Sequence, residues 1–510
     1  MRKVSFGHAL RSYPRPRHAS TLPLNPAVRV TTLPNKIRVA TENTPGHFSC
    51  VGLYVDAGAR HETPSSSGVS HFLDRMAFKS TKSMSDADMA TAMSALGGQI
   101  MCSSSRETIM YQSSHFHKAT PLALSLISET VQNASFLPEE LEAQRAAAEY
   151  EIRELGAKPE VILPEILHHI AYDGKGLGNP LLCPEDRIHL IDASLMRHFM
   201  EQMYRPERMV IAGAGVAHEE LVELADKHFS SLKYAPVVDE QAATLSLPRT
   251  SPSVPPNLLH SQPPNVFKSL TRAASSYLYP NSPSLVSSGT GTTYTGGYRF
   301  IHDPESEFNH IYIGFEGVGI HDDDIYELAT MQVLLGGGGS FSAGGPGKGM
   351  YTRLYTHILN HHSAVDHCAS FHHIYNDSSL FGLFASFAPS ARSAVLPHLI
   401  HQLALLLYRT VPPEELSRAK NQLKSSLAMA LESRSVEVED LGRQLLVHNR
   451  KIPVSEMADK IDAVTAESLR RVALRVFGSQ SGGKPTVLVM GRNDLDEWEA
   501  QFRKYDVGTV

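Results

Sequence analysis

Residues 122–141, LALSLISETVQNASFLPEEL, recur in altered form as residues 397–416, PHLIHQLALLLYRTVPPEEL. In both copies the apolar residues are spaced three and four apart, which predicts an amphipathic helix, and P-E-E-L predicts the start of a second helix. Pro138 and Pro413 suit the first turn of that second helix, and the glutamates that follow favour the positive end of its dipole. The chain therefore repeats a helix–turn–helix element.

Two further pairs of segments follow the same order. Residues 209–229 and residues 487–502 both read as a strand, a glycine turn and a helix. Alternating apolar residues at 51–57 and 311–316 predict a strand near the start of each half. Three matches in one order indicate a duplicated unit of about 200 residues. The predicted fold class is α+β, with helices covering one face of a mostly antiparallel sheet in each unit.

A segment rich in proline, serine and threonine separates the two units. It contains nine prolines between Pro236 and Pro283, and proline removes backbone donors and restricts its neighbours, so we interpret it as a linker. The predicted division has a targeting segment, a first domain, the linker and a second domain, at residues 1–20, 27–235, 236–296 and 297–505.

The N-terminus is strongly basic. Eight of the first 41 residues are arginine or lysine, and the first acidic residue is Glu42. A start that is rich in arginine and serine, lacks acids and lacks the long apolar core of a secretory signal is typical of mitochondrial targeting segments. We expect residues 1–20 to direct the chain to the mitochondrial matrix; a disordered basic tail is the alternative.

Composition limits the possible partners. The chain is 42% hydrophobic and 20% charged, with a formal net charge of −6, and it has no apolar run long enough to predict a membrane-spanning helix. Loss of the basic leader would make it more acidic, which favours basic partners and argues against nucleic acid. Its four cysteines lie far apart, which predicts free thiols; they are Cys50, Cys102, Cys183 and Cys368.

Residues 70–81, SHFLDRMAFKST, carry the most chemical information and predict the start of a helix. His71, Asp74 and Arg75 share one face of that helix because they are spaced three and four apart. An inverted zinc motif, H-x-x-E-H, needs that face for two histidine ligands and a glutamate base. Arginine in the place of the second histidine stays protonated and has no lone pair to donate. We therefore predict no metal and no catalytic residue in this chain.

This segment resembles the zinc motif of the pitrilysin family of metallopeptidases. The resemblance implies a third ligand, a glutamate on a later helix, and Glu151 stands at the matching spacing, 76 residues after Arg75. His71 and Glu151 alone do not make a catalytic zinc site. We expect an ion pair of Arg75 with either Asp74 or Glu151. The resemblance also implies that both predicted domains are pitrilysin-like.

Residues 336–349, GGGGSFSAGGPGKG, contain eight glycines among fourteen residues. They lie between predicted helices at residues 324–335 and 350–359, and their glycines predict a flexible loop that admits a ligand against bare main chain. A hinge without a binding role is the alternative. A phosphate-binding Walker loop does not fit, because Ser342 stands in the place of its first glycine and Gly349 in the place of its Ser or Thr.

The glycine-rich segment is similar to that of the non-catalytic α subunits of processing peptidases within this family. The resemblance implies that the chain recognises basic mitochondrial presequences and presents them to a catalytic β subunit, which carries the zinc, in a heterodimer. The residues that it implies in presequence binding are Gly336, Gly337, Gly338, Gly339, Ser340, Phe341, Gly344, Gly345, Gly347, Lys348 and Gly349. The alternative function is a structural core subunit of respiratory complex III, because those subunits resemble the same family.

Two polar segments have simpler expectations. Three consecutive acids, Asp322 to Asp324, are expected to cap the helix that follows, or else to meet an arginine. Five histidines crowd one stretch without a recognised ligand spacing, and we expect ordinary strand or loop residues rather than a metal site. They are His361, His362, His367, His372 and His373.

Overall fold

Each half of the chain forms a six-stranded sheet in the computed structural model, which describes residues 27–234, 292–339, 350–480, 483–495 and 497–509. The strands of the first half are β1 (Val28–Thr32), β2 (Arg38–Glu42), β3 (Phe48–Val55), β4 (Gln99–Ser104), β5 (Ile109–Phe116) and β6 (Met209–Ala214). Those of the second half are β7 (Gly297–His302), β8 (Asn309–Val318), β9 (Gly337–Gly339), β10 (Val365–Ile374), β11 (Ser378–Phe387) and β12 (Thr486–Gly491).

The α-helices repeat between the halves as the strands do. Those of the first half are α1 (Val69–Arg75), α2 (Asp86–Ala95), α3 (Thr120–Asn133), α4 (Pro138–Gly156), α5 (Pro159–Ala171), α6 (Ala193–Met203) and α7 (His218–Phe229). Those of the second half are α8 (Ile325–Leu335), α9 (Arg392–Tyr408), α10 (Pro413–Leu431), α11 (Arg434–His448), α12 (Val454–Ala463), α13 (Ala466–Phe477) and α14 (Trp498–Tyr505). A π-helical turn, Tyr355–Leu359, precedes β10.

Five strands of each sheet follow one topology, β2-β6-β3-β5-β4 in the first and β7-β12-β8-β11-β10 in the second; the first sheet adds β1 at one edge and the second adds β9 at the other. Their strand orders are β1-β2-β6-β3-β5-β4 and β7-β12-β8-β11-β10-β9. Among the described strands, β2 pairs with β6 and β7 with β12 in parallel, and the other pairs are antiparallel. The prediction of two α+β units with mostly antiparallel sheets is confirmed.

One face of each sheet packs against helices of its own half. Leu53 of β3 and Ile211 of β6 lie in one buried cluster with Leu124 of α3. In the second half, Ile313 of β8 lies in a buried cluster with Leu403 of α9. Each such side chain contributes about 1.5–3 kcal/mol to folding when fully buried. The repeated amphipathic helices found in the sequence are therefore the covers of the two principal cores.

The opposite face of each sheet is covered by a helix from the other half. Leu167 of α5, in the first half, lies in a buried cluster with Leu488 of β12. Leu441 of α11, in the second half, lies in a buried cluster with Val210 of β6. The two halves thus exchange equivalent helices, and neither sheet is covered on both faces by its own half.

Polar contacts also join the halves. Arg38 of β2 donates a hydrogen bond from Nη1 to the carbonyl oxygen of Leu445 at 2.6 Å. Arg60 forms ion pairs both with Glu107 of its own half and with Asp377, in the turn between β10 and β11. These contacts add hydrogen bonds and charge pairing to the apolar interface.

The structure corrects one local expectation and refines another. The helix predicted over residues 70–81 ends at Arg75, because Phe78 adopts a φ of +59° and packs its ring against that of Tyr111, with 6.2 Å between ring centroids. At the start of α8, the side chain of the N-cap residue Asp324 makes no cap, but Oδ1 of Asp322 accepts a hydrogen bond from the backbone N–H of Asp324 at 2.9 Å. Asp324 instead forms ion pairs with Arg471 at 2.7 Å and Arg475 at 2.6 Å. The arginine alternative is thus confirmed, with arginines of the chain itself.

The four cysteines are free thiols, as predicted. Of the five histidines, three lie on β10. In the described ranges, no helix combines the length and apolar character that crossing a membrane requires. The predicted targeting segment and most of the predicted linker lie outside the described residues.

Candidate functional site

Helix α1 carries the residues of the degenerate motif, and a buried carboxylate fixes its start. Glu62 accepts hydrogen bonds from the backbone N–H groups of Gly68 at 2.8 Å and Ser70 at 2.7 Å. Burial raises the pKa of Glu62 to about 7, although these hydrogen bonds act to lower it. Gly68 has a φ of +92°, and a Cβ there would lie 2.4 Å from Sγ of Cys183. Both features anchor the first turn of α1.

The hydrogen bonds of His71 identify its tautomer. Its Nδ1 accepts a hydrogen bond at 3.1 Å from the backbone N–H of Cys183, which can only donate. Its proton therefore lies on Nε2, which donates to Oε2 of Glu151 at 3.3 Å. A histidine that binds a metal through Nε2 needs a free lone pair on that atom. The ring of His71 is thus held in the form that does not bind a metal there.

Arg75 also binds Glu151. Its Nη1 donates to Oε2 of the glutamate, and the two side chains are 20% and 29% exposed. The hydrogen bond from His71, aided by the charge of Arg75, lowers the pKa of Glu151 against the effect of burial. Of the two ion pairs expected from the sequence, the one with Glu151 is confirmed.

Asp74 is engaged elsewhere. Its Oδ2 accepts hydrogen bonds from the backbone N–H of Ser104 at 2.7 Å and from its hydroxyl at 3.2 Å, at the end of β4. The carboxylate that stands in the place of a general base therefore links α1 to the edge of the first sheet.

The residues of this site do not fit a zinc ion. The guanidinium of Arg75 occupies one ligand position. Nε2 of His71 carries a proton and so has no lone pair free for a metal. Glu151 neutralises Arg75 instead of a metal. Across the described parts of the chain, no group of three or more His, Cys, Asp or Glu residues is arranged to hold a metal ion.

The first four glycines of the glycine-rich segment are ordered, contrary to the prediction of a loop. Gly336 ends α8 with a φ of +56°, and a Cβ there would lie 2.3 Å from Cγ2 of Thr352. Residues Gly337–Gly339 form β9, which pairs with residues 367–369 of β10. These glycines permit close backbone packing at the edge of the second sheet.

The other residues implied in presequence binding lie outside the described part of the chain. They are Ser340, Phe341, Gly344, Gly345, Gly347, Lys348 and Gly349. Sequence reasoning also missed Glu62, Cys183 and Ser104, which hold the degenerate motif in place. Their contacts join distant segments, so no local spacing could have indicated them.

Both halves match family models of one peptidase family. Residues 38–185 match the model described as insulinase, peptidase family M16, and residues 191–423 match the model described as the peptidase M16 inactive domain. The chain belongs to the M16 peptidase family. The pitrilysin-like resemblance read from the motif is thereby confirmed.

Named relatives of this M16 chain are α subunits of one peptidase. It is 43% identical to the mitochondrial-processing peptidase subunit alpha of Neurospora crassa, over 90% of this chain and 86% of the relative. It is 39% identical to the probable counterpart of Schizosaccharomyces pombe, over 92% of this chain and 86% of the relative. The identity to the counterpart of Rattus norvegicus is 34%, over 92% and 83% of the two chains.

A solved structure shows the same fold. A chain of complex III from Candida albicans superposes with a TM-score of 0.73 at 18% identity, covering 94% of this chain and 100% of that one. At this identity the likeness concerns architecture alone.

Proposed function

We propose that this chain is the substrate-recognition α subunit of a mitochondrial processing peptidase and that it does not itself cleave. The observation that carries the proposal is the pairing of Arg75 with Glu151 in the place of a zinc site. The chain that bears it is 43% identical to a named α subunit. A family member without metal ligands can still hold a substrate, because binding surfaces do not depend on the metal.

The proposal assigns zinc to a catalytic β subunit and places the heterodimer in the mitochondrial matrix. Its substrates are basic N-terminal presequences of imported precursors. Residues 336–349 are proposed to contact the presequence, with β9 as the ordered base of that segment. A hinge without contact to the substrate remains the alternative role for these glycines.

A structural role in respiratory complex III is the second candidate. The fold shared with a complex III chain favours it, but at 18% identity, against 43% for the α subunit of Neurospora crassa. Sequence identity therefore favours the peptidase.

Affinity purification of the tagged chain from mitochondria tests the proposal. We expect a zinc-containing peptidase subunit to co-purify, and the eluate to cleave a presequence-bearing precursor. Cleavage should disappear when that subunit is removed and return when it is added back. Recovery of the chain solely with membrane-bound respiratory subunits, without cleavage, would overturn the proposal in favour of complex III.

A further inference from the structure

The face of the second sheet that looks away from its own core is only partly covered by α5. The helix packs along β7, β8 and β12. Beyond it, towards β9, this face carries three aromatic rings in a line across neighbouring strands: Tyr312 of β8, Phe384 of β11 and His367 of β10. We call these residues the aromatic row.

The rings of the aromatic row are stacked. The centroids of Tyr312 and Phe384 are 5.1 Å apart with an interplanar angle of 12°, and those of Phe384 and His367 are 4.7 Å apart with an angle of 18°. Tyr312 is buried, whereas Phe384 and His367 are partly exposed. The row therefore runs from beneath α5 to an accessible end.

That end adjoins a strand without side chains. Gly339 of β9 is the direct partner of His367 in the sheet, and a Cβ built on Gly339 would lie 3.6 Å from Cδ2 of the imidazole. The Nδ1 atom of His367 is buried and has no hydrogen-bond partner among the residues that the structure describes. A polar atom in this state is costly unless a ligand or water satisfies it.

Carboxylates lie near His310 and the row. Burial lowers the pKa of the nearby His310 imidazole, and the charges of Glu160, Asp303 and Asp366 oppose that effect. Glu160, in the first turn of α5, is exposed. Burial raises the pKa of Tyr312 in the row, and the charge of Glu160 adds to that effect. An apolar surface flanked by acids is complementary to a peptide that carries both apolar and basic side chains.

We propose that the aromatic row seats an apolar side chain of a basic presequence while Glu160 attracts one of its arginines or lysines. The proposal rests on the proposed function and specifies where on the chain the presequence binds. Stacked rings offer an apolar seat that does not depend on the exact side chain, which suits substrates of varied sequence. Gly339, beside His367, presents main chain without a side chain to the accessible end of the row.

Binding of a fluorescently labelled presequence peptide to the purified heterodimer tests this proposal. His367→Ala should weaken binding by about two- to tenfold, the range for loss of one aromatic contact, and His367→Phe should restore it because the stack is kept. Glu160→Gln should weaken binding by up to about fivefold at low salt and by less at high salt.

Phe116→Ala is the matched control. Phe116 is 52% exposed and stacks on Phe48 with 4.8 Å between centroids, but it lies on the first sheet, so its loss should leave binding unchanged. Phe384→Ala removes a second ring of the aromatic row and should also weaken binding. Circular dichroism confirms that this variant is folded.

The outcomes are distinguishable. If the unmodified heterodimer binds the peptide and the variants at 160 and 367 bind equally well, the aromatic row is not the seat and the proposed function stands. If His367→Phe is as weak as His367→Ala, the stack is not what binds. If the unmodified heterodimer does not bind presequence at all, both proposals fail.

Discussion

Arg75 on α1 donates a hydrogen bond to Glu151 on α4, 76 residues further along the chain. The same carboxylate oxygen accepts from Nε2 of His71. Glu151 is therefore satisfied by two donors of the chain itself. Since the cation of Arg75 takes the place of a metal ion, helix α1 can keep its structure although no zinc chemistry takes place there.

The first prediction concerns metal content. The unmodified chain should hold no stoichiometric zinc after dialysis, whereas Asp74→Glu combined with Arg75→His should bind zinc through positions 71, 75 and 151. We expect the zinc affinity to be weaker than in an active family member. Zinc on Nε2 would require His71 to carry its proton on Nδ1, which faces the N–H of Cys183. Mass spectrometry of the metal content measures this.

Asp74→Glu alone is the control for the metal experiment. It retains Arg75 and should bind no zinc. One zinc per unmodified chain would show that the motif is not degenerate in function.

The second prediction separates two neighbouring glycines. A Cβ on Gly337, where φ is +108°, would lie 2.1 Å from the carbonyl oxygen of Cys368, whereas a Cβ on Gly338 would meet no atom of the described residues within 4 Å. Gly337→Ala should therefore destabilise the chain by about 1–3 kcal/mol, and Gly338→Ala should change its stability by less than about 1 kcal/mol. Thermal unfolding compares the two variants. Equal effects would contradict the pairing of β9 with β10.

The third prediction follows from the exchange of helices. Leu167→Ala changes a residue of the first half, yet it should loosen the second sheet, because Leu167 packs there with Leu488. We expect a loss of about 2–5 kcal/mol in unfolding free energy and faster amide exchange in β8 and β12. Met429→Ala, at a residue that is 51% exposed, should cost less than about 0.5 kcal/mol. Faster exchange confined to the first half would contradict the exchange of helices.

The fourth prediction concerns pH. Burial, aided by the charge of Glu42, raises the pKa of Glu437 from 4.5 to about 7, against the hydrogen bond from Thr44 and the charges of Lys451 and Arg434. Because the folded state binds this proton more tightly than the unfolded state, the stability from this group is complete below about pH 4.5 and is lost as the pH rises to about 7. Glu437→Gln should therefore flatten the decline of unfolding free energy across that window, by up to about 3 kcal/mol.

Urea unfolding from pH 5 to pH 8 measures the effect of Glu437. The exposed Glu432→Gln serves as the control, with an unchanged slope expected. A Glu437→Gln profile parallel to that of the unmodified chain would show that Glu437 does not hold a proton near neutral pH.

Local signals in the sequence predicted the elements well, and tertiary contacts decided the rest. Proline followed by two glutamates predicted the starts of α4 and α10, and both helices begin at that proline. The end of α1 was predicted too late, because the packing of Phe78 on Tyr111 ends it. No local signal in the sequence indicated that α5 of the first half covers the sheet of the second half.

In the candidate site, too, local signals predicted part of the arrangement and tertiary contacts decided the rest. The residue types at positions 71, 75 and 151 were sufficient to predict an ion pair, since an arginine beside a glutamate needs no precise geometry. They left the partner open between Asp74 and Glu151, because Asp74 is fixed by Ser104 of β4, a contact that joins two separate elements. The edge strand of glycines was missed because glycine is typical of loops, and its pairing depends on the close approach of β10.

The rate of presequence cleavage by the reconstituted heterodimer with Glu151→Gln in this chain tests most directly whether this chain is non-catalytic. That change keeps an acceptor for Arg75 but removes the carboxylate that a zinc site would need. We expect a rate within about twofold of the unmodified complex, whereas removing the zinc ligands of the catalytic partner should abolish cleavage. Loss of cleavage from Glu151→Gln, with peptide binding and heterodimer assembly intact, would contradict a non-catalytic role for this chain.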